Sequence, residues 1–355
     1  MIKPLTSLRF LFAFMVFLSH LSFVSGKSSP TFRLFYDSYL SEGFIGVSFF
    51  FVLSGFILAY NYKEKLAAHE ISHKSFFIAR VARIYPLHFL TFLLAIPFTY
   101  SVFFKTPILW ILTALANASL FQSYIPIKQV FFSFNDVSWS ISDEMFFYLC
   151  FPVLIFLLNK LSKRNLFLFS LILLMIVPVL SFFISSNYTN SLFYVNPLFR
   201  ISEFIMGILL FYFTESKSIR NPLLWQLLAI GIFVIFFLNH HEVSMIYRKS
   251  WFYWLPVVLL IYSFSNANSQ SILSRFISTK TLVMLGDISF SFYLLQRILF
   301  RYLLLLNDRM LHVSNMLFLV LIDFILLLLF SYLSYNYFEK PANTFVKKLF
   351  IKSGS

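Results

Sequence analysis

Long apolar stretches separated by short polar ones make up almost the whole chain, and their length is that of a lipid bilayer. A helix that crosses the hydrocarbon needs about 20 residues. Runs of this kind lie at 5–24, 43–61, 84–104, 144–158, 166–185, 197–213, 223–239, 251–264, 282–305 and 315–338. A further apolar run occupies 107–124. The pattern predicts an all-α fold, a polytopic bundle of about ten transmembrane helices, because a spanning segment must satisfy its backbone polar groups internally.

Lys and Arg set the side each loop faces, since short cytoplasmic loops are enriched in them. With ten crossings and both termini cytoplasmic, 18 of the 28 basic residues fall inside, Lys217 and Lys352 among them. Seven fall outside, including Lys27 and Lys128, and Arg200, Arg297 and Arg301 lie within spans. Counting 107–124 as a crossing would put Lys160, Lys163 and Arg164 outside and invert every later loop. That segment therefore reads as re-entrant or interfacial, within an outer region covering 105–143.

Composition agrees: 59% of residues are hydrophobic and 12% charged, with mean hydropathy +0.82, where a soluble domain carries about 25% charged residues. Disordered, collagen-like and nucleic-acid-binding classes are excluded, and the net charge of +14 is accounted for by topology. The single cysteine, Cys150, rules out an internal disulfide framework. A cleavable signal peptide ending near Ser22–Gly26 is disfavoured, because the first apolar run carries Arg9 and His20. The expected organisation is one membrane domain over 1–345 with a short basic cytoplasmic tail at 346–355.

Ionisable side chains inside spans cost about 2.5–3.5 kcal/mol each on insertion scales, so each one needs a reason. The set comprises Arg9, His20, His88, Glu144, Arg200, Glu203, Asp287, Arg297, Arg301 and Asp323. Arg200 and Glu203, spaced i,i+3, are expected to neutralise each other. Asp323 is expected to pair with Arg297 or Arg301. Arg9 and His20 are eleven residues apart, close to three helical turns, so both project from one face about 16 Å apart. A snorkelling anchor and an interfacial histidine would explain them as well as a functional pair would.

Four other segments carry candidate chemistry. Gly43–Phe56 holds three of the eight glycines and allows close helix approach. Arg80-Val81-Ala82-Arg83 places two guanidinium forks at the cytoplasmic mouth of the third span, suited to phosphate or to anionic lipid. Val137–Tyr148 opens a span with Asp143 and Glu144 in its first turn, where a carboxylate meets the helix dipole or orients an imidazole. His69 with His73, and His240-His241, read as solvated, and no metal site is expected. No Walker A loop, zinc-spaced His/Glu pair or Gly-x-Ser-x-Gly elbow occurs.

Taken in order, these segments resemble the acyltransferase-3 family of membrane acyltransferases. The resemblance runs through the Arg9/His20 pair, the Gly-Val-x-x-Phe-Phe-Val-Leu-Ser-Gly-Phe form within Gly43–Phe56, and Arg80–Pro86. It continues through Trp139–Glu144, Gly286–Leu294 and Phe338-Glu339-Lys340-Pro341. Two positions depart from the family pattern: Gln296 stands near a common histidine, and Ser48 stands where an acidic residue is common. The extracytoplasmic hydrolase-like domain of some members is not in this chain.

The resemblance implies transfer of an acyl group, most often acetyl, from cytoplasmic acyl-CoA to a hydroxyl of a cell-envelope glycan. Lipopolysaccharide O-antigen or a capsule-like polymer, in a bacterial cytoplasmic membrane, is the favoured setting. It makes His20, Glu144 and Arg9 catalytic, with His20 a general base or transient acyl carrier and Glu144 orienting it. Arg80, Arg83 and Arg9 would bind the CoA phosphates, and Trp139, Ser142 and Ser54 would contact substrate. Acetyl-CoA would be a co-substrate, with no permanently bound cofactor. Acylation of a small molecule or lipid, and a transporter or flippase without acyl transfer, are the alternatives.

Overall fold

The computed structural model describes residues 2–22, 30–215, 219–266 and 271–351. Lys27, Lys217 and Lys352 of the topology count, and most of the Ser22–Gly26 stretch, lie outside the described residues. Among the described residues there is no strand, and twelve helices have ten residues or more. They are α1 (Lys3–Ser19), α2 (Ile45–Ala67), α3 (His73–Ala95), α4 (Pro107–Ala118), α5 (Trp139–Asn159) and α6 (Lys163–Phe183), followed by α7 (Pro197–Thr214), α8 (Pro222–Leu238), α9 (Trp254–Phe264), α10 (Lys280–Leu306), α11 (Met316–Ser334) and α12 (Lys340–Phe350).

Each of the ten expected spans falls on a helix. Seven helical stretches are long and apolar enough to cross a membrane, while α8 and α9 are shorter apolar helices. The helix in the disputed 107–124 run, α4, has 12 residues. At 1.5 Å per residue that is about 18 Å, short of the hydrocarbon thickness, as is α9 with its 11 residues. Its outward side chains are apolar (Ile108, Leu109, Leu112, Leu115), while Asn117 is buried. Along α6 the exposed face is likewise apolar, from Phe167 to Phe183. Polar side chains point inward and hydrocarbon outward, as lipid requires.

Packing divides the chain into two compact units. The first comprises residues 1–12, 44–73 and 146–286. Its centre is the contact of α2 with α7, made possible by two glycines. A Cβ at Gly55 would meet the Phe204 carbonyl oxygen at 1.9 Å, and one at Gly207 would meet that of Val52 at 1.9 Å. Phe147 stacks on Phe204 with centroids 5.1 Å apart and meets Phe51 edge-on at 5.0 Å. Gly55→Ala is expected to destabilise the unit by about 1–3 kcal/mol or more, since backbone must move and no rotamer change relieves the clash. Thermal unfolding of the purified protein in detergent reads this, and an unchanged midpoint would refute the close approach.

The same unit contains the expected Arg200–Glu203 pair, 3.0 Å apart with side chains 2% and 1% exposed. Glu203 also accepts from Trp254 Nε1 at 3.0 Å, and Arg200 donates to the Ser48 hydroxyl at 3.3 Å. Arg200 lies over the Phe51 ring, 4.9 Å from its centroid. A buried pair with this many partners explains both intramembrane charges structurally. His240 corrects an expectation. It is fully buried, not solvated, because its Nδ1 turns back to the Phe237 carbonyl at the end of α8, 2.6 Å away. His69 and His73 are exposed.

The second unit comprises residues 13–43, 74–145 and 287–355. Here α3 is tied to the end of α4 by Tyr85, whose hydroxyl donates to the Ala118 carbonyl at 3.0 Å. His88, fully buried, has Nε2 2.9 Å from the Asn117 carbonyl. Asn117 in turn donates to the Ser133 hydroxyl at 2.6 Å. His88 is thus tied to the end of α4 through Nε2, while its Nδ1 is buried without a hydrogen-bond partner.

Candidate active site

His20 closes the last turn of α1, its backbone N–H reaching the Phe17 carbonyl at 3.1 Å. The Tyr36 hydroxyl donates to the Ser19 carbonyl at 2.5 Å, satisfying one of the acceptors that a helix end leaves open. The imidazole faces a small cavity, with room for about one water, lined by Phe17, His20, Leu21, Gln296, Arg297, Phe300 and Asp323, all in the second unit. Gln296 presents its side chain to the imidazole, and the charges of Asp136 and Arg297 act on it.

Asp136 occupies the turn before α5, and two bonds lash that turn to α10. Asn135 donates its amide to the Leu294 carbonyl at 3.0 Å, and the Tyr293 hydroxyl donates to the Val137 carbonyl at 3.0 Å. Arg297 Nε then reaches Asp136 Oδ2 at 2.9 Å, and a terminal nitrogen reaches the same oxygen at 2.9 Å. Arg301 stands 3.6 Å from that oxygen and donates to the Phe134 carbonyl at 3.0 Å. Burial alone would push the Asp136 carboxyl up, but Arg297, its hydrogen bonds, His20 and Arg301 outweigh it and hold the group below the usual carboxylate range.

This corrects the expected partner of the two arginines. They pair with Asp136, because the 133–138 turn folds over α10 at their level. Asp323 is 1% exposed, with neither carboxyl oxygen bonded.

A second cluster in this unit draws three of the family-like segments together. Arg83 meets Glu339 at 2.9 Å and lies over the Phe290 ring, 5.3 Å from its centroid. The other oxygen of Glu339 accepts a hydrogen bond from Ser291. Arg80 lies over Phe76, and Lys347 of α12 brings a third cation near both arginines. Arg83, with its side chain 29% exposed, is therefore anchored by a buried carboxylate at one side.

The remaining candidates are placed as follows. Ser142 is fully buried, donating to the Leu120 carbonyl at 2.5 Å and lying 2.7 Å from the Ser123 hydroxyl. Trp139 is buried at the start of α5, and Glu144 is half-buried in the next turn. Arg9, on α1, and Ser54, on α2, are half-buried and belong to the first unit. Asp136 was missed by sequence reasoning. Its signal was a lone acidic residue between Asn135 and Val137, just ahead of the Trp139–Glu144 element. No His/Cys/Asp/Glu cluster able to hold a metal occurs among the described residues.

Comparison with known proteins adds independent weight. A profile for an acyltransferase domain, that of the acyltransferase-3 family, matches residues 3–346. The chain is similar to the acyltransferase MdmB of Streptomyces mycarofaciens, 31% identical over 324 residues, covering 85% of this chain and 79% of that protein. It is also similar to the O-acetyltransferase OatA of Staphylococcus aureus (strain NCTC 8325 / PS 47), 27% identical over 328 residues. That match covers 85% of this chain and 53% of OatA, so the chain spans about half the length of that relative. No solved structure matches significantly. The multi-pass helical fold and the match from Lys3 onward lead to one conclusion: this chain belongs to the acyltransferase-3 family, as a membrane-embedded acyltransferase.

Proposed function

We propose that the protein transfers an acetyl group from cytoplasmic acetyl-CoA to a hydroxyl of a cell-envelope glycan, with His20 as the general base. The observation that carries this reading is an imidazole at the end of the first helix, set beside Gln296 and the Asp136–Arg297 pair within the matched acyltransferase domain. The imidazole takes the proton of the acceptor hydroxyl as its oxygen attacks the thioester carbonyl. The tetrahedral intermediate then expels the CoA thiolate, which regains a proton from the imidazolium. The likeness to an O-acetyltransferase supports acetyl as the group moved. A lipopolysaccharide O-antigen or capsule-like polymer is the acceptor this reading favours, in a bacterial cytoplasmic membrane with both termini cytoplasmic. Glu144 is assigned to orienting the imidazole.

Arg80 and Arg83 are assigned to the phosphates of CoA. Guanidinium groups suit such oxyanions, and Lys347 reinforces the positive field around them. Arg80→Ala is expected to raise the KM for acetyl-CoA about tenfold, the size of one lost charged hydrogen bond, with the acceptor KM unchanged. Thiol release from acetyl-CoA by membranes carrying the protein, with and without added glycan, tests the reaction. Glycan-dependent release is the expected result, while substrate movement without thiol release would fit a carrier instead.

A further inference from the structure

We propose that Glu339 is a positioning residue for the acyl donor: it grips one edge of Arg83 and aims the rest of that guanidinium at the phosphates of CoA. This rests on the reading of Arg83 as a phosphate ligand in the preceding subsection. Glu339 is 4% exposed, and its Oε2 accepts from Arg83 Nη1 at 2.9 Å. Its other oxygen accepts from the Ser291 hydroxyl of α10. Both carboxylate oxygens are thus engaged by the protein itself.

A local departure from α-helical geometry brings these groups together. After α11 ends at Ser334, the stretch Tyr335–Glu339 forms a π-turn, closed where the Lys340 N–H reaches the Tyr335 carbonyl. Bonds from i to i+5 widen the turn, and such turns recur at functional sites. They bring residues five apart toward one face, so Glu339 and Ser334 both meet Ser291, whose hydroxyl is 3.1 Å from that of Ser334. With 3.6 residues per turn, an unbroken α-helix would set Glu339 about 140° around the axis from Ser334.

Arg83 is thereby held on two sides. Glu339 takes one edge, and the Phe290 ring lies against its face, 5.3 Å from the centroid. Among the described residues no second acceptor bonds this guanidinium, and its side chain is 29% exposed. A fork of five N–H donors then keeps most of them for an incoming oxyanion. A buried carboxylate is costly to desolvate, and such pairs add little net stability. What the pair supplies is a fixed direction for a long side chain, which lowers the ordering cost of binding.

Charge and aim predict opposite results. Neutralising a carboxylate beside a polyanion should, by Coulomb's law, tighten binding. Losing the grip on Arg83 should weaken it, since a misplaced contact can cost about 10²-fold. The test uses membranes carrying wild type, Glu339→Met, Arg83→Ala or both substitutions together. Thiol release from acetyl-CoA is followed with surface glycan extracted from cells that lack the gene. Glu339→Met should raise the acetyl-CoA KM about tenfold or more, with the acceptor KM unchanged. In the Arg83→Ala background the same substitution should raise it no further, because Glu339 acts through Arg83.

An acetyl-CoA KM that stays level or falls in Glu339→Met, or that rises further in the Arg83→Ala background, would overturn the assignment. So would a lowered unfolding temperature with both KM values altered equally, the mark of a purely structural pair. If Glu339→Met does not accumulate, Glu339→Gln is read the same way, with a smaller rise confined to the acetyl-CoA KM. CoA added to the purified protein should raise the wild-type unfolding temperature. Wild type that shows neither this rise nor thiol release would refute the reading of Arg83, and the role of Glu339 with it. Wild type that binds CoA, beside a Glu339→Met form with an unaltered KM, overturns Glu339 alone.

Discussion

Replacing His20 with alanine is expected to lower acyl transfer by about 10²–10⁴-fold, the usual worth of a positioned general base, while the protein stays in the membrane at its normal level. The imidazole is half-buried at the edge of a small cavity, so its removal enlarges a space already present. The turn that carries it is held by backbone bonds and by Tyr36, which the substitution leaves intact. Transfer of label from acetyl-CoA in membranes matched for protein content reads the effect. Because the base works as neutral imidazole, the wild-type rate should also fall on acidification. Retained transfer in His20→Ala would remove this residue from the mechanism.

The second large effect is expected at Asp136, and it concerns stability before activity. One carboxylate, 19% exposed, faces Arg297 and Arg301 with side chains 24% and 30% exposed. Asp136→Ala would leave two partly buried guanidinium groups one turn apart without their counter-ion. Breaking a buried pair in this way costs about 3–5 kcal/mol, and the residual exposure reduces that to about 2–4 kcal/mol. Thermal unfolding in detergent should show the loss, and Arg297→Ala combined with Asp136→Ala should cost less than the two losses added. Equal unfolding temperatures for wild type and Asp136→Ala would contradict the arrangement. The sign of the pH dependence follows from the depressed carboxyl. Its contribution is fully present above the ordinary carboxylate range and disappears as pH falls through the lower folded value. Asp136→Asn should remove that acid limb.

Much of this fold was legible because lipid imposes a simple rule. Ten apolar runs fall on ten helices, and the further run at 107–124 holds a helix of 12 residues. The Arg200–Glu203 pair was readable too, since i,i+3 spacing on one helix needs no knowledge of tertiary structure. Asp136 was not, because its partners lie 161 and 165 positions away on α10, and nothing local marks a turn as the counter-ion of a distant helix. The expected pairing of Asp323 with those arginines failed for the same reason. Spacing places Asp323 on the next helix but does not say which side of α10 that helix covers. His240 shows a smaller version of the problem, since a histidine pair after an apolar run reads as solvated until the last turn bends one ring back onto Phe237. Gly55 was half legible: its segment promised a close approach, but the reciprocal contact with Gly207 on α7 requires the packed pair.

The central claim is that a half-buried imidazole at the end of the first helix moves an acetyl group onto a surface glycan. Ester analysis of that glycan by mass spectrometry, in cells with the gene, without it, and with only the His20→Ala form, tests it most directly. The account predicts acetyl esters that vanish on deletion, return with the wild-type gene and fail to return with His20→Ala. Esters that persist after deletion, or that the His20→Ala form restores in full, would contradict it.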